Sequence, residues 1–202
     1  EKLPLPLHWF KWQAFTTWIS GALLLIIVYY AGGRAALEDP SVAKITHGWA
    51  VVIGISAIIG GRIIYDIMQH VAPRAPTLSA IIWIGALTAI AIELTQVLSG
   101  RAAFLHTGAM LGTIMAGNVA TTIVSSQKEL VASVGEGRGA DPAVAARAKR
   151  DSIHNNYFTF PVIALMVSSH FSGIYGHRLN WLLLLMIIAA GASLVTLRRY
   201  LR

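Results

Sequence analysis

Six stretches of the chain carry no charged side chain: 12–33, 45–61, 75–92, 102–127, 152–177 and 179–197. Each approaches the run of about 20 mostly apolar residues with which a helix crosses a hydrocarbon layer roughly 30 Å thick. In lipid every backbone N–H and C=O must find its partner inside the structure, which leaves only helices or closed barrels. The runs are continuous and do not alternate with a period of two, so barrel strands are excluded. The expected fold class is therefore all-α, a polytopic transmembrane helical bundle of about six spans. They are placed at approximately 14–32, 48–68, 78–98, 102–125, 156–173 and 179–198, in one integral membrane domain over residues 1–202.

Composition agrees with that reading and excludes others. Charged residues make up 12% of the chain, against roughly 25% in soluble domains, and the mean hydropathy is +0.63. Such a chain is neither disordered nor an ordinary soluble enzyme, and with no cysteine it is not a disulfide-stapled secreted domain. Net charge is +7, but the basic residues are too scattered for a nucleic-acid face, so no nucleic-acid partner is expected and the lipid bilayer is. A cleavable signal peptide is not expected in the first run, which is too long and is followed by Tyr29-Tyr30-Ala31-Gly32-Gly33-Arg34, a poor cleavage site. The chain opens on Glu1 instead of Met, which is expected of a processed or partial sequence.

Basic residues give the orientation, because cytoplasmic loops carry the excess of Lys and Arg. One side of a six-span arrangement holds Lys2, Lys11, Arg74, Lys128, Arg138, Arg147, Lys149, Arg150, Arg198, Arg199 and Arg202. The other holds Arg34, Lys44, Arg101 and Arg178, and Arg62 falls within a span. Both ends of the chain are thus expected in the cytoplasm. The same side holds the one long loop, 126–155, where Asp141 and Pro142 read as the N-cap and first position of a short basic surface helix through Arg150. That helix is suited to anionic lipid heads.

Ionisable groups inside a membrane are expensive and point to function. Glu93 sits in the outer half of the third span, one turn before Gln96 on the same face. His106 lies near the outer end of the fourth span, His47 opens the second on that side, and His170 closes the fifth. Converging, they would make an extracytoplasmic pocket, with Glu93, His106 and His170 as catalytic candidates. His47, His106 and His170 are the weak haem or metal candidates, since histidine is the usual haem ligand and proton shuttle. His154, Asn155, Asn156 and Arg101 are the candidate substrate-binding groups, the first three crowding hydrogen-bonding side chains at the mouth of the fifth span. Ordinary roles compete throughout: histidines at headgroup level, and Trp9 and Trp12 in an aromatic belt beside His8. Asn118 is expected to bond a neighbouring helix, and Gly108, Gly112 and Ala116 to form a small-residue contact stripe. No Cys-x-x-Cys-His attachment site is present, so any c-type haem belongs to a separate chain or a removed domain.

Three segments carry a family resemblance. They are 99–119 (SGRAAFLHTGAMLGTIMAGNV), 154–162 (HNNYFTFPV) with His170 shortly after, and 7–12 (LHWFKW). The chain resembles, along essentially its whole length, the membrane domain of bacterial membrane-bound urate oxidases (urate hydroxylases). The resemblance implies oxidation of urate to 5-hydroxyisourate in the bacterial inner membrane. It also implies electron transfer to a c-type cytochrome that family members carry at their C-terminus, with one further helix before this region. Gln13 stands where the family pattern has an acidic residue, and Ser169 where it has asparagine. The Gln13 change and the expected truncation of the ends favour an alternative reading, a non-catalytic membrane subunit of a larger respiratory or photosynthetic electron-transfer complex. A third reading is a haem b carrier.

Overall fold

The computed structural model describes residues 6–139 and 141–201. Lys2 and Arg202, counted above to the basic side, lie outside them, as do the side chains of His8, Phe10 and Arg199. The chain forms α1 (Pro6–Leu25, continued by a π-turn Ile26–Ala31), α2 (Arg34–Leu37), α3 (His47–Val71) and α4 (Pro76–Val97). There follow α5 (Gly100–Asn118), a second π-turn (Val119–Ile123), α6 (Val124–Gly135), α7 (Pro142–Ser168), α8 (Ser172–Tyr175) and α9 (Asn180–Tyr200). Among the described residues there is no strand.

Among the described residues, five helical segments are long and apolar enough to cross a membrane: Lys11–Ala31, His47–Val71, Pro76–Val97, Gly100–Gly135 and Asn180–Arg198. The fifth expected span, 156–173, behaves differently. It belongs to α7, whose His154 and Asn155 bond to α3 and α5. Many outward-facing side chains are large and apolar, among them Leu23, Leu24, Ile27, Ile59, Ile63, Ile81, Ile84, Ile163 and Met186. The bundle is that of a multi-pass membrane protein.

The expected loop 126–155 is mostly helix. The fourth run continues through its π-turn into α6, so Gly100–Gly135 spans about 54 Å at 1.5 Å per residue, well beyond a bilayer's hydrocarbon. The basic segment is the first third of α7 rather than a separate surface helix. Its start follows the sequence expectation: the Asp141 carboxylate accepts from the Ala143 N–H at 2.8 Å, with Pro142 in the first turn. Val144 and Ala148 are buried, as is Ser133 of α6, so α6 and the start of α7 pack as a hairpin extending the bundle at one end. The opposite end is roofed by α2 and α8.

α5 is the hub. It is buried along Ala102, Ala103, Phe104, His106, Thr107, Gly108, Met110, Leu111, Ile114 and Asn118, packing against α1, α3, α4 and α7. The small-residue stripe is only partly used. A side chain at Gly108 would meet Met166 of α7 at 3.0 Å, whereas Gly112 has nothing within 4 Å. α7 and α9 approach closely where Gly191 lies against the Pro161 ring, 2.6 Å from where a Cβ would sit.

Candidate functional site

Two polar centres are buried in the bundle, one at the α2 end and one near the α6–α7 hairpin. At the α2 end the π-turn of α1 brings two consecutive tyrosines against one histidine. A π-turn advances each residue by less rotation than an α-turn, so Tyr29 and Tyr30 both face inward. His106 of α5 is fully buried. Its Nδ1 stands 2.7 Å from the Ala102 carbonyl oxygen, which can only accept, so Nδ1 carries the hydrogen. Nε2 is then a lone-pair acceptor and receives the Tyr30 hydroxyl proton at 3.0 Å. The Tyr29 ring meets the imidazole edge-on, centroids 6.1 Å apart at 87°. Gly54 of α3 leaves the space the ring occupies, since a Cβ there would lie 2.6 Å from Nε2.

Tyr30 also reaches His47. Its backbone carbonyl accepts from His47 Nε2 at 2.9 Å, while His47 Nδ1 meets the Glu38 carboxylate at 2.6 Å. Both ring nitrogens face acceptors, so His47 and Glu38 hold a shared proton between them. Two of the expected histidines are therefore joined, through the two ends of one tyrosine.

Beside them lies Arg101, in the first turn of α5. The turn is fixed by Ser99, whose hydroxyl accepts from the Ala102 N–H at 3.2 Å and donates to the Ala36 carbonyl at 2.8 Å. Gly100 packs directly on the Tyr175 carbonyl of α8. The Tyr29 hydroxyl, in a residue only 4% exposed, has no hydrogen-bond partner among the described residues, and neither has the buried Nε of Arg101. Arg101 and Tyr175 lie within electrostatic reach of Tyr29. Each buried donor left unpaired costs about 1–3 kcal/mol, so two of them near each other are a feature to be explained.

The second centre joins α3, α5 and α7. Asn118 donates to the Tyr65 hydroxyl at 2.9 Å and to Asn155 Oδ1 at 3.0 Å, and its Oδ1 accepts from Arg62 Nη1 at 3.0 Å. The Tyr65 hydroxyl and the Gln69 amide both stand at His154 Nδ1, at 2.8 and 2.9 Å. Asn155 donates to the Met115 carbonyl at 3.0 Å, and Arg62 is further held by the Ile114 carbonyl and by Asp66. Trp83 and Phe158 stand edge-on to Tyr65, centroids 5.3 and 6.0 Å away. Nearly every donor and acceptor here is matched, Gln69 Oε1 excepted, which is the pattern of a clamp between helices.

The remaining expected residues are not gathered. Glu93 and Gln96 share a face, but it is the exposed one. α4 turns Leu87, Ala91, Leu94 and Thr95 inward, and Glu93 has no hydrogen bond or ion pair among the described residues. His170 lies exposed in the turn after α7, and Asn156, one helical step beyond Asn155, is exposed too. The bis-histidine haem expected from His47, His106 and His170 does not fit, because both nitrogens of His47 and of His106 are engaged by the protein. Among the described residues no three His, Asp or Glu side chains stand together to hold a metal ion. The sequence reading missed Tyr29, Tyr30, Glu38 and Tyr65, all unremarkable as letters. Arg62 alone gave a signal, a charge within a span.

An apolar-faced bundle with five membrane-capable helices among the described residues defines the class, a multi-pass membrane protein, here with a phenol–imidazole pair buried in its interior. No curated protein and no solved structure matches this chain. The chain belongs to the urate oxidase N-terminal family, whose model matches residues 1–201, in agreement with the resemblance carried by its three segments.

Proposed function

We propose that this chain is the membrane domain of a urate-oxidising enzyme of the bacterial inner membrane. The observation that carries the reading is the family match along residues 1–201. In the reaction urate and water give 5-hydroxyisourate, two protons and two electrons. The electrons leave singly to a c-type cytochrome, held on a separate chain or domain because this one has no cysteine. The excess of Lys and Arg on the α6–α7 side supports a cytoplasmic hairpin and an extracytoplasmic α2 end, the side on which such a cytochrome works.

The Tyr30–His106 pair is suited to the first proton. A substrate N–H gives its proton to the Tyr30 oxygen as the Tyr30 hydrogen moves to His106 Nε2. The imidazolium so formed keeps its Nδ1–H on the Ala102 carbonyl. The relay needs no change in position of any heavy atom, and a positioned base of this kind contributes on the order of 100- to 10,000-fold in rate.

The test is reduction of added ferric cytochrome c by urate, with the full chain in detergent, followed by the cytochrome's visible bands. Wild type reduces it, and Tyr30→Phe and His106→Gln each slow it by at least about 100-fold. Wild-type protein that takes no electrons from urate, yet accompanies other electron-transfer subunits through purification, refutes this reading.

A further inference from the structure

The two unpaired donors at the α2 end are the part of the molecule that neither the helix packing nor the proton relay uses. A phenol hydroxyl buried to 4% exposure without a partner is rare, because it forfeits its hydrogen bonds to water and gains none in return. Arg101 beside it has no ion pair and no hydrogen bond among the described residues, and its Nε is sealed from solvent. Glu38, the carboxylate of the centre, is committed to His47. The positive end of the α5 dipole adds to the guanidinium charge, since Arg101 sits in the first turn of this helix. The result is a small region rich in donors and positive charge, poor in acceptors, and adjacent to a base.

We infer that Tyr29 and Arg101 together bind an exocyclic oxygen of an anionic planar heterocycle. The Tyr29 O–H and the Arg101 Nε–H both donate to it. This rests on the urate reading and deepens it. Urate is an anion at neutral pH, with its charge spread over carbonyl oxygens and ring nitrogens. One such oxygen satisfies both orphan donors and neutralises the free guanidinium. It also holds the ring near Tyr30, whose own hydrogen is already directed at His106. Tyr29 is thereby a substrate-positioning group on one side of the imidazole, with Tyr30 its proton partner on the other. The stretch Tyr29-Tyr30 has two distinct jobs.

The experiment measures binding apart from turnover. Equilibrium dialysis with urate alone, no electron acceptor present, is run on the full chain in detergent for wild type, Tyr29→Phe, Arg101→Gln and Arg101→Lys. Tyr29→Phe keeps the ring against His106 and deletes only an unpaired hydroxyl, so it folds as well as wild type. It is expected to raise the urate Kd about tenfold. Arg101→Gln raises it more, and Arg101→Lys, which restores the charge without the Nε–H, falls between. With cytochrome present, the same variants raise KM by a larger factor than they lower kcat. Equal urate affinity in wild type, Tyr29→Phe and Arg101→Gln, with wild-type turnover intact, overturns this inference alone and assigns the two donors to a structural water. Wild-type protein that neither binds nor oxidises urate overturns the inference and the proposed function together.

Discussion

One helix contains its own control for the geometry around His106. α3 carries Gly54 and Gly60, six residues apart in the same apolar segment. Replacing either by alanine removes the same backbone entropy from the unfolded chain and improves helix propensity by the same amount, about 1 kcal/mol. The surroundings differ. A Cβ at Gly60 meets nothing within 4 Å, whereas at Gly54 it would stand 2.6 Å from His106 Nε2, 2.8 Å from Cδ2 and 3.2 Å from the Tyr30 hydroxyl. The imidazole has no room to retreat, being tied through Nδ1 to the Ala102 carbonyl at 2.7 Å and walled by the Tyr29 ring. Overpacking a site of that kind costs about 1–3 kcal/mol. Because the propensity gain cancels between the two variants, Gly54→Ala should be less stable than Gly60→Ala by that whole amount. For a chain of this length each kcal/mol moves the melting temperature by about 2–4 °C, so several degrees separate the two in detergent. The displaced ring also stretches the Tyr30–His106 hydrogen bond, so urate-dependent cytochrome reduction falls in Gly54→Ala and not in Gly60→Ala. Variants that melt within about 1 °C of one another, with equal activity, refute the tight fit of His106 against α3.

Three further outcomes follow from the same structure. Asn118→Ala removes three interhelical hydrogen bonds, each worth about 0.6 kcal/mol between membrane helices. It should therefore destabilise the bundle by about 2 kcal/mol, read by thermal unfolding, and a double-mutant cycle with Tyr65→Phe recovers the coupling. Glu93→Gln, at an exposed position of α4 without partners, leaves urate turnover unchanged in the cytochrome assay, and a large loss there returns that carboxylate to the site. In the exposed α2–α3 connection, the Ser41 hydroxyl and N–H both donate to Asp39 and hold its carboxyl below the usual range. The small stability this gives is present above the unfolded carboxylate value and lost as pH falls through the lowered one. Asp39→Asn should thus flatten only the acid limb of a melting-temperature profile.

How much of this was written in the sequence depends on the range of the interaction. The all-helical class, the cap at Asp141 and the apolar exterior follow from local composition and short spacings. The fifth run shows where that reasoning stops. Its polar 151–156 stretch looks like the edge of a loop until α3 and α5 supply Tyr65, Gln69, Asn118 and Met115 as partners. Then it is helix, and His154 and Asn155 belong to a clamp. The same applies to the segment after 125, which continues as helix because α7 packs on it.

His106 and His47 were legible as intramembrane imidazoles, but which groups they serve was not. A histidine's role is set by what faces each nitrogen, and those partners lie 4 to 76 residues away in the chain. Glu93 illustrates the converse. An isolated carboxylate in an apolar run reads as costly and therefore purposeful, yet a few tens of degrees of helix rotation decide whether it faces the bundle or its surroundings, and no local pattern fixes that. Local composition settles that this chain folds as helices with an apolar exterior, because hydrocarbon admits only helices and closed barrels and its continuous apolar runs lack the alternation of barrel strands. Only the tertiary structure decided that two adjacent tyrosines, a glycine and the first turn of α5 meet around one imidazole, because that meeting depends on a π-turn and on helix facing, which are settled by packing across the whole bundle.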